Sequence, residues 1–406
     1  MKNLFRFLPI VTLILLASSC AKEPNEDTSW QERVSFDAWM AKNINNNGIR
    51  AVKQDNGMYV EYLSPATDPS LVPADTTVWV RINYTGRTLQ NNVYLTRYRE
   101  IAEQQGTYTP YTYYAPDYLY CGPTNSNMIQ GQYAALKEEL KDADGNPVKL
   151  AQGSRVRIYM PSDLSYGAYG TSNDQGYGGQ YALVGNVPSI EEMEIVEVVK
   201  DPIKREEKLV TDYAWDNWGM GEEDTLRAFL YLHSLSLPED TVGTSIGVDS
   251  TIEFYYVGYF LDGFVFDTNI DSVQQRLYGE VKTSSAIEYT PSEDKESYVS
   301  ALYYALPAMR KGEWAEALFT SAYGYGVTGL SAATEALNEY YSNYLSAIFN
   351  NGYFSDYSSY YNNYYYTSYY YSNYLSSTSS DEDEVITEVQ SYTPLIFRIY
   401  VMPDED

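Results

Sequence analysis

The chain writes PSDLSYGAYG at residues 161–170 and TSAYGYGVTG at residues 320–329, with Tyr325 standing 159 positions beyond Tyr166. A tyrosine-glycine phrase repeated at domain-sized distance asks for one backbone unit used twice. At 406 residues the chain also exceeds one core, and two domains of about 150–200 residues are its natural division.

The order of elements around each phrase supports this. SWQERVSFDAWMAKNI places Trp30, Val34, Trp39 and Ile44 at helical spacing. GMYVEYLSPA and TTVWVRINYTGRTL alternate with the period of strands, MIQGQYAALKEEL returns to helical spacing, SRVRIYM runs as a strand into the first phrase, and MEIVEVV closes the half near Lys200. After a charged link, DPIKREEK, the order recurs: strands RAFLYLHSLSLP and STIEFYYVGYFLDGFVFDT, the helix-like YVSALYYALPAMRKGE, the second phrase, and a last strand PLIFRIYV. Two insertions interrupt the symmetry, TRYREIAEQQGTYTPYTYYAPDY at 96–118 and a much larger one at about 330–390. The latter reads as helix over 331–349 and then becomes YYNNYYYTSYYYSNY followed by SSDEDE, a run that accounts for much of the tyrosine excess.

The first residues, MKNLFRFLPIVTLILLASSC, join two cations to an apolar run too short to span a membrane, the pattern of an export leader over 1–19. LASSC resembles a bacterial lipobox, which implies that Cys20 is acylated and that 20–29 is a lipid-anchored tether. Ala21 stands where an aspartate would resemble an inner-membrane retention signal, so the outer membrane is the expected location. The acidic cluster Glu23, Glu26 and Asp27 is similar to cell-surface export signals, or is a solvated tether.

Removing the leader takes Lys2 and Arg6, so 27 basic residues fall to 25 against 55 acidic ones, a net of −30. Nucleic acid and anionic headgroups are poor partners for that charge. With Cys20 acylated, Cys121 has no disulfide partner and reads as core packing. His233 is the only histidine and lies in strand-like LYLHSLSLP, which leaves no histidine-rich metal site and no Ser-His-Asp triad unless His233 supplies it. DADGNPVK at 142–149 opens like a calcium loop, but Pro147 replaces the sharp-turn glycine and the closing glutamate is missing, so it reads as a hairpin turn. YGTSNDQGYGG at 169–179 lacks the lysine of a phosphate loop and reads as a pocket-edge loop. Neither metal nor cofactor is expected.

YVGYFLDGFVFDT, ALPAMRKGEW, AYGYGVTG and SYTPLIFRIYV, in that order, resemble the FKBP-type peptidyl-prolyl cis-trans isomerases, over about 249–402 and more weakly over 75–200. The resemblance implies an α+β fold: two FKBP-like domains, 30–201 with an N-terminal helix and 202–406 with the Tyr-rich insertion, each a bent antiparallel sheet wrapped around a short helix. It implies a pocket in the second domain, with Asp267, Tyr325 and Phe266 catalytic and Tyr256, Tyr289, Val299, Leu302 and Phe397 binding substrate. Leu302 stands where the family usually places a tryptophan floor. In the first domain Tyr84, Tyr94, Ile129 and Tyr166 fit the pattern, whereas Leu95 replaces the aspartate, Gln132 replaces the tryptophan, and an aromatic wall is missing near Met193. That half is expected to bind rather than catalyse.

The expected function is an outer-membrane-anchored foldase acting on proline-containing exported proteins. The alternative is a non-catalytic scaffold, partnered by subunits of an envelope assembly or export complex.

Overall fold

The computed structural model describes residues 29–73, 78–122, 128–168, 170–171, 181–236, 246–281, 285–295, 297–330 and 387–403. The leader, Cys20, the run at 331–386 and the loop at 172–180 lie outside these residues. Among the described residues the fold is α+β, with two seven-stranded antiparallel sheets of the same topology.

The first half runs α1 (Ser29–Asn46), β1 (Val52–Lys53), β2 (Tyr59–Ser64), β3 (Trp79–Thr88), β4 (Val93–Thr96), α2 (Arg99–Gln105), β5 (Asp117–Tyr120), α3 (Gln130–Lys137), the hairpin β6 (Leu140–Lys141) and β7 (Pro147–Val148), β8 (Arg155–Met160) and β9 (Ser189–Val199). The second runs α4 (Pro202–Trp218), β10 (Thr225–Arg227), β11 (Leu230–Ser236), β12 (Ile252–Phe260), β13 (Val265–Thr268), α5 (Asp271–Tyr278), β14 (Ile287–Tyr289), α6 (Ser300–Ala305), β15 (Trp314–Phe319) and β16 (Leu395–Val401). Strand order is β1-β2-β8-β9-β3-β4 with β5 also on β3, and β10-β11-β15-β16-β12-β13 with β14 also on β12.

Side chains alternate across each sheet, and each face has its own helix. Val60, Ile158 and Ile195 pack with Ala135 and Leu136 of α3, while Tyr59, Tyr159 and Ile190 pack with Phe36 and Met40 of α1. In the second half Leu230, Phe319 and Phe397 meet Leu302 of α6, while Tyr231, Leu318 and Ile396 meet Val210 and Ala214 of α4. Cys121 is buried in the first core, and His233 stacks on Trp218 with ring centroids 5.0 Å apart.

Three expectations are corrected. DPIKREEK is no link: Asp201 caps α4 by accepting from the Lys204 N–H, Pro202 occupies its first turn, and Gly219 ends it in the left-handed region. Residues 96–118 are no insertion either, because α2 between β4 and β5 has its counterpart in α5 between β13 and β14. In α1 the inward stripe is Phe36 and Met40, with Trp30 and Val34 exposed.

Each leading helix is latched to the repeated phrase. Glu32 of α1 accepts from the N–H (3.1 Å) and hydroxyl (3.4 Å) of Ser162, and Glu206 of α4 accepts from those of Ser321 at 2.9 and 3.1 Å. The halves also share apolar surface, since Trp79, Tyr118 and Val199 of the first half join the second half's core.

Glu206 is fully buried, and desolvation raises its carboxyl to about 8 despite the two serine bonds. Between the ordinary carboxylate range and about 8 the folded chain therefore holds a proton that the unfolded chain has lost, so this contribution is complete at low pH and disappears as pH rises through the folded value. The thermal midpoint of the full chain, followed by circular dichroism, should fall between pH 5.5 and 8.5, and Glu206→Gln should reduce that fall by at least about 2 °C.

Candidate functional site

The second site grows from the paired strands β12 and β13. Gly258 lies beside Asp267 in their ladder, and a bulge follows before Tyr259 pairs with Val265. A Cβ on Gly258 would stand 2.7 Å from the Phe266 ring, so only glycine allows the ring to lie against the strand. Gly258 also pairs with Phe397 of β16, which brings a second ring alongside.

The rings form one cluster. Phe266 meets Tyr325 nearly edge-on (6.1 Å, 81°) and Phe397 at 6.0 Å, while Tyr256 stacks on Phe397 at 5.4 Å. Tyr289 reaches the group through Phe254, with ring centroids 6.0 Å apart and edge-on. Val299, at the start of α6, and Leu302 within it are buried in the same core. Asp267 is held beside these rings, Oδ2 accepting from the Tyr256 hydroxyl and Oδ1 from the Thr268 N–H at 2.8 Å. Burial raises its carboxyl above the ordinary range, against the opposing pull of those two bonds.

Tyr325 is presented by the repeated phrase. After the 3-10 turn Ser321–Tyr323, Gly326 donates to the Ser321 carbonyl and Gly329 to that of Tyr325. Gly329 has φ +70°, and a Cβ there would stand 2.1 Å from the Val389 carbonyl oxygen. Gly170 repeats this with φ +70° and 2.0 Å to the Leu183 oxygen, so the same close approach is built twice.

The first half keeps the frame and changes the chemistry. A Cβ on Gly86 would meet the Tyr94 ring at 2.5 Å, and Tyr94 meets Tyr166 edge-on (5.6 Å, 87°). Ile129 precedes α3 as Val299 precedes α6, and Leu95 pairs with Gly86 as Asp267 does with Gly258. The Tyr84 hydroxyl donates instead to Asp117 of β5 (2.5 Å), which also pairs with Arg97. The lost wall is corrected by two residues: Gly86 pairs with Glu191, so Glu191 and not Met193 takes the place of Phe397. Glu191 is fully buried, accepts from Gln132 Nε2 at 2.7 Å, and is raised by desolvation to about 8.

No protein-family model and no curated protein sequence matches the chain. Solved structures to which it is similar include the three FKBP domains of wheat FKBP73, at 12% identity over 86% of this chain and 95% of that one with a TM-score of 0.25. Others are a peptidyl-prolyl cis-trans isomerase of Pseudomonas syringae, at 18% identity over 44% and 99% with a TM-score of 0.28, and FkpA of Escherichia coli, at 12% over 49% and 72% with a TM-score of 0.27.

Sequence reading missed Phe319 and Phe260, which pack on Phe397 (5.3 Å) and Phe266 (5.1 Å). Phe319 was visible as the end of the alternation Ala315, Ala317, Phe319, and Glu191 as the preceding step of Met193 and Ile195.

Because the Phe266 ring occupies the space a Cβ would need, Gly258→Ala should lower unfolding stability by about 1–3 kcal/mol, read by denaturant titration. Gly247→Ala, where the added carbon makes only ordinary contact at 3.4 Å, should change it by less.

Proposed function

We propose that the chain is a lipid-anchored peptidyl-prolyl cis-trans isomerase of the outer membrane, with its catalytic site in the second half and proline-containing exported chains as substrates. The supporting observation is the Asp267–Tyr256 pair set against the rings of Phe266, Phe397 and Tyr325.

The chemistry requires nothing more reactive. The X-Pro amide rotates over a barrier of about 18–20 kcal/mol without breaking a covalent bond, so the catalyst must bind the twisted amide better than the planar one. Aromatic walls at Phe266, Tyr289 and Phe397 would seat the pyrrolidine and desolvate its carbonyl, disfavouring the charge-separated planar form. Tyr325 would donate to a substrate carbonyl, and Asp267 would polarise the site. Val299 and Leu302 would floor it, Leu302 leaving more width than a tryptophan. A thousandfold acceleration corresponds to about 4 kcal/mol of such preference.

A scaffold reading draws support from the first half, where the buried Gln132–Glu191 pair replaces an aromatic wall and floor. It would make that half a binding module in an envelope assembly.

The full chain should accelerate cis-to-trans isomerisation of an X-Pro tetrapeptide. Asp267→Asn and Phe266→Leu should each reduce this by about tenfold or more, with Tyr166→Phe in the first half leaving it unchanged. A folded wild-type chain with no acceleration would remove the isomerase reading and leave the scaffold. The anchor has its own check: after fractionation, Cys20→Ala should move the protein from the membrane to the soluble fraction.

A further inference from the structure

A cavity of about 200 Å³ lies between the halves and borders the aromatic site at Phe260. Arg81 of β3 and Tyr118 of β5 line it from the first half, Arg205 and Leu209 of α4 and Phe260 of β12 from the second, with Gln390 ahead of β16.

Its polar groups are mostly donors. The Tyr118 hydroxyl and Gln390 Nε2 are buried with no hydrogen-bond partner among the described residues, and Tyr118 is only 7% exposed. Buried donors without acceptors are uncommon and cost free energy. Arg81 and Arg205 share one carboxylate, that of Glu197, at 3.4 and 2.8 Å. A guanidinium carries five N–H donors, so one shared carboxylate leaves most of these two forks uncommitted. Asp262, the acid on the lining, is exposed and accepts from the Tyr113 hydroxyl (2.8 Å) and the Phe264 N–H (3.0 Å).

We infer that this cavity binds a carboxylate carried on an apolar group about the size of one side chain, either a small acid or the carboxyl end of a peptide. A carboxylate offers two coplanar oxygens, the geometry that a guanidinium fork accepts, and its second oxygen serves the tyrosine and amide donors. Phe260 and Leu209 supply the apolar wall for the attached group. A divalent cation is the wrong ligand beside two guanidinium groups, and with Arg81 and Arg205 already balanced by Glu197 and Asp262 a monoanion adds less uncompensated charge than a phosphate dianion. The site stands independently of isomerase activity.

Calorimetric titration of the full chain with N-acetyl-phenylalanine and with its amide tests this. The acid should bind saturably and the amide at least about tenfold more weakly, the loss expected when a charge-assisted pair is removed. Arg81→Gln should weaken the acid by about tenfold or more, and Tyr118→Phe, which keeps the ring against Trp79 and Tyr392, by about threefold. A short peptide ending in phenylalanine, as free acid and as amide, separates the sources: tighter binding of the peptide acid than of the amino acid supports a chain terminus, and the reverse a small metabolite. Equal binding of acid and amide, no saturable binding of either acid, or unchanged affinity in both variants would overturn the assignment and leave a water-filled cavity.

Discussion

In both halves an aromatic ring lies where a glycine leaves room for it, Phe266 against Gly258 and Tyr94 against Gly86. The contact needs a strand position without a side chain, and in each half the ladder is irregular at the next step, between Gly258 and Tyr259 and between Gly86 and Arg87. Such bulges bend a strand and sharpen its twist. The bend turns the short strand's ring inward towards the repeated phrase, where Tyr325 or Tyr166 meets it edge-on. Backbone, ring and loop therefore specify one another, which is why the phrase comes with the whole unit.

On this shared frame, a few substitutions set the polarity. In the second half the place beside Gly258 holds Phe397, and the carboxylate comes from the short strand as Asp267. In the first half Glu191 stands beside Gly86, and Asp117 from another strand takes the tyrosine hydroxyl. A carboxyl buried among rings loses hydration that one amide donor does not replace, so Glu191 favours its neutral form near neutrality. One half thus offers mainly apolar walls, and the other a buried hydrogen-bonding pair.

Much of this was legible in the chain. Period-two alternation marks the long strands, and the repeated phrase marks the duplication. What escaped was governed by pairing rather than by local pattern. Phe319 and Glu191 enter the sites through register with strands far away in sequence, and Glu191 as a charged residue argues against its own burial. The helix α4 escaped for a different reason: its start is dense in charge, and although Asp201, Pro202 and Gly219 mark both ends, the charges read as a linker. Segment 96–118 looked inserted because its tyrosines hide a short helix whose counterpart in the second half shares no wording with it.

The junction between the halves limits how far the first copy could drift. Trp79 at the start of β3 packs edge-on against Tyr392 at 5.0 Å, and Tyr113 lies 4.3 Å from Phe260 while its hydroxyl holds Asp262. Thr387 donates to the Tyr111 carbonyl, tying the second half to the segment between α2 and β5. The strands β3 and β5 thus serve two cores by alternation: Val80, Ile82 and Leu119 pack with the first, and Trp79, Tyr118 and Tyr120 with the second. Substitution at the first site changes only that site's chemistry, whereas loss of Trp79 or Tyr118 would expose apolar surface in both halves. The first half can therefore carry Glu191 and Leu95 where the second has Phe397 and Asp267 while keeping its sheet, and the face of β3 and β5 that bears Trp79 and Tyr118 remains under constraint from the neighbouring core.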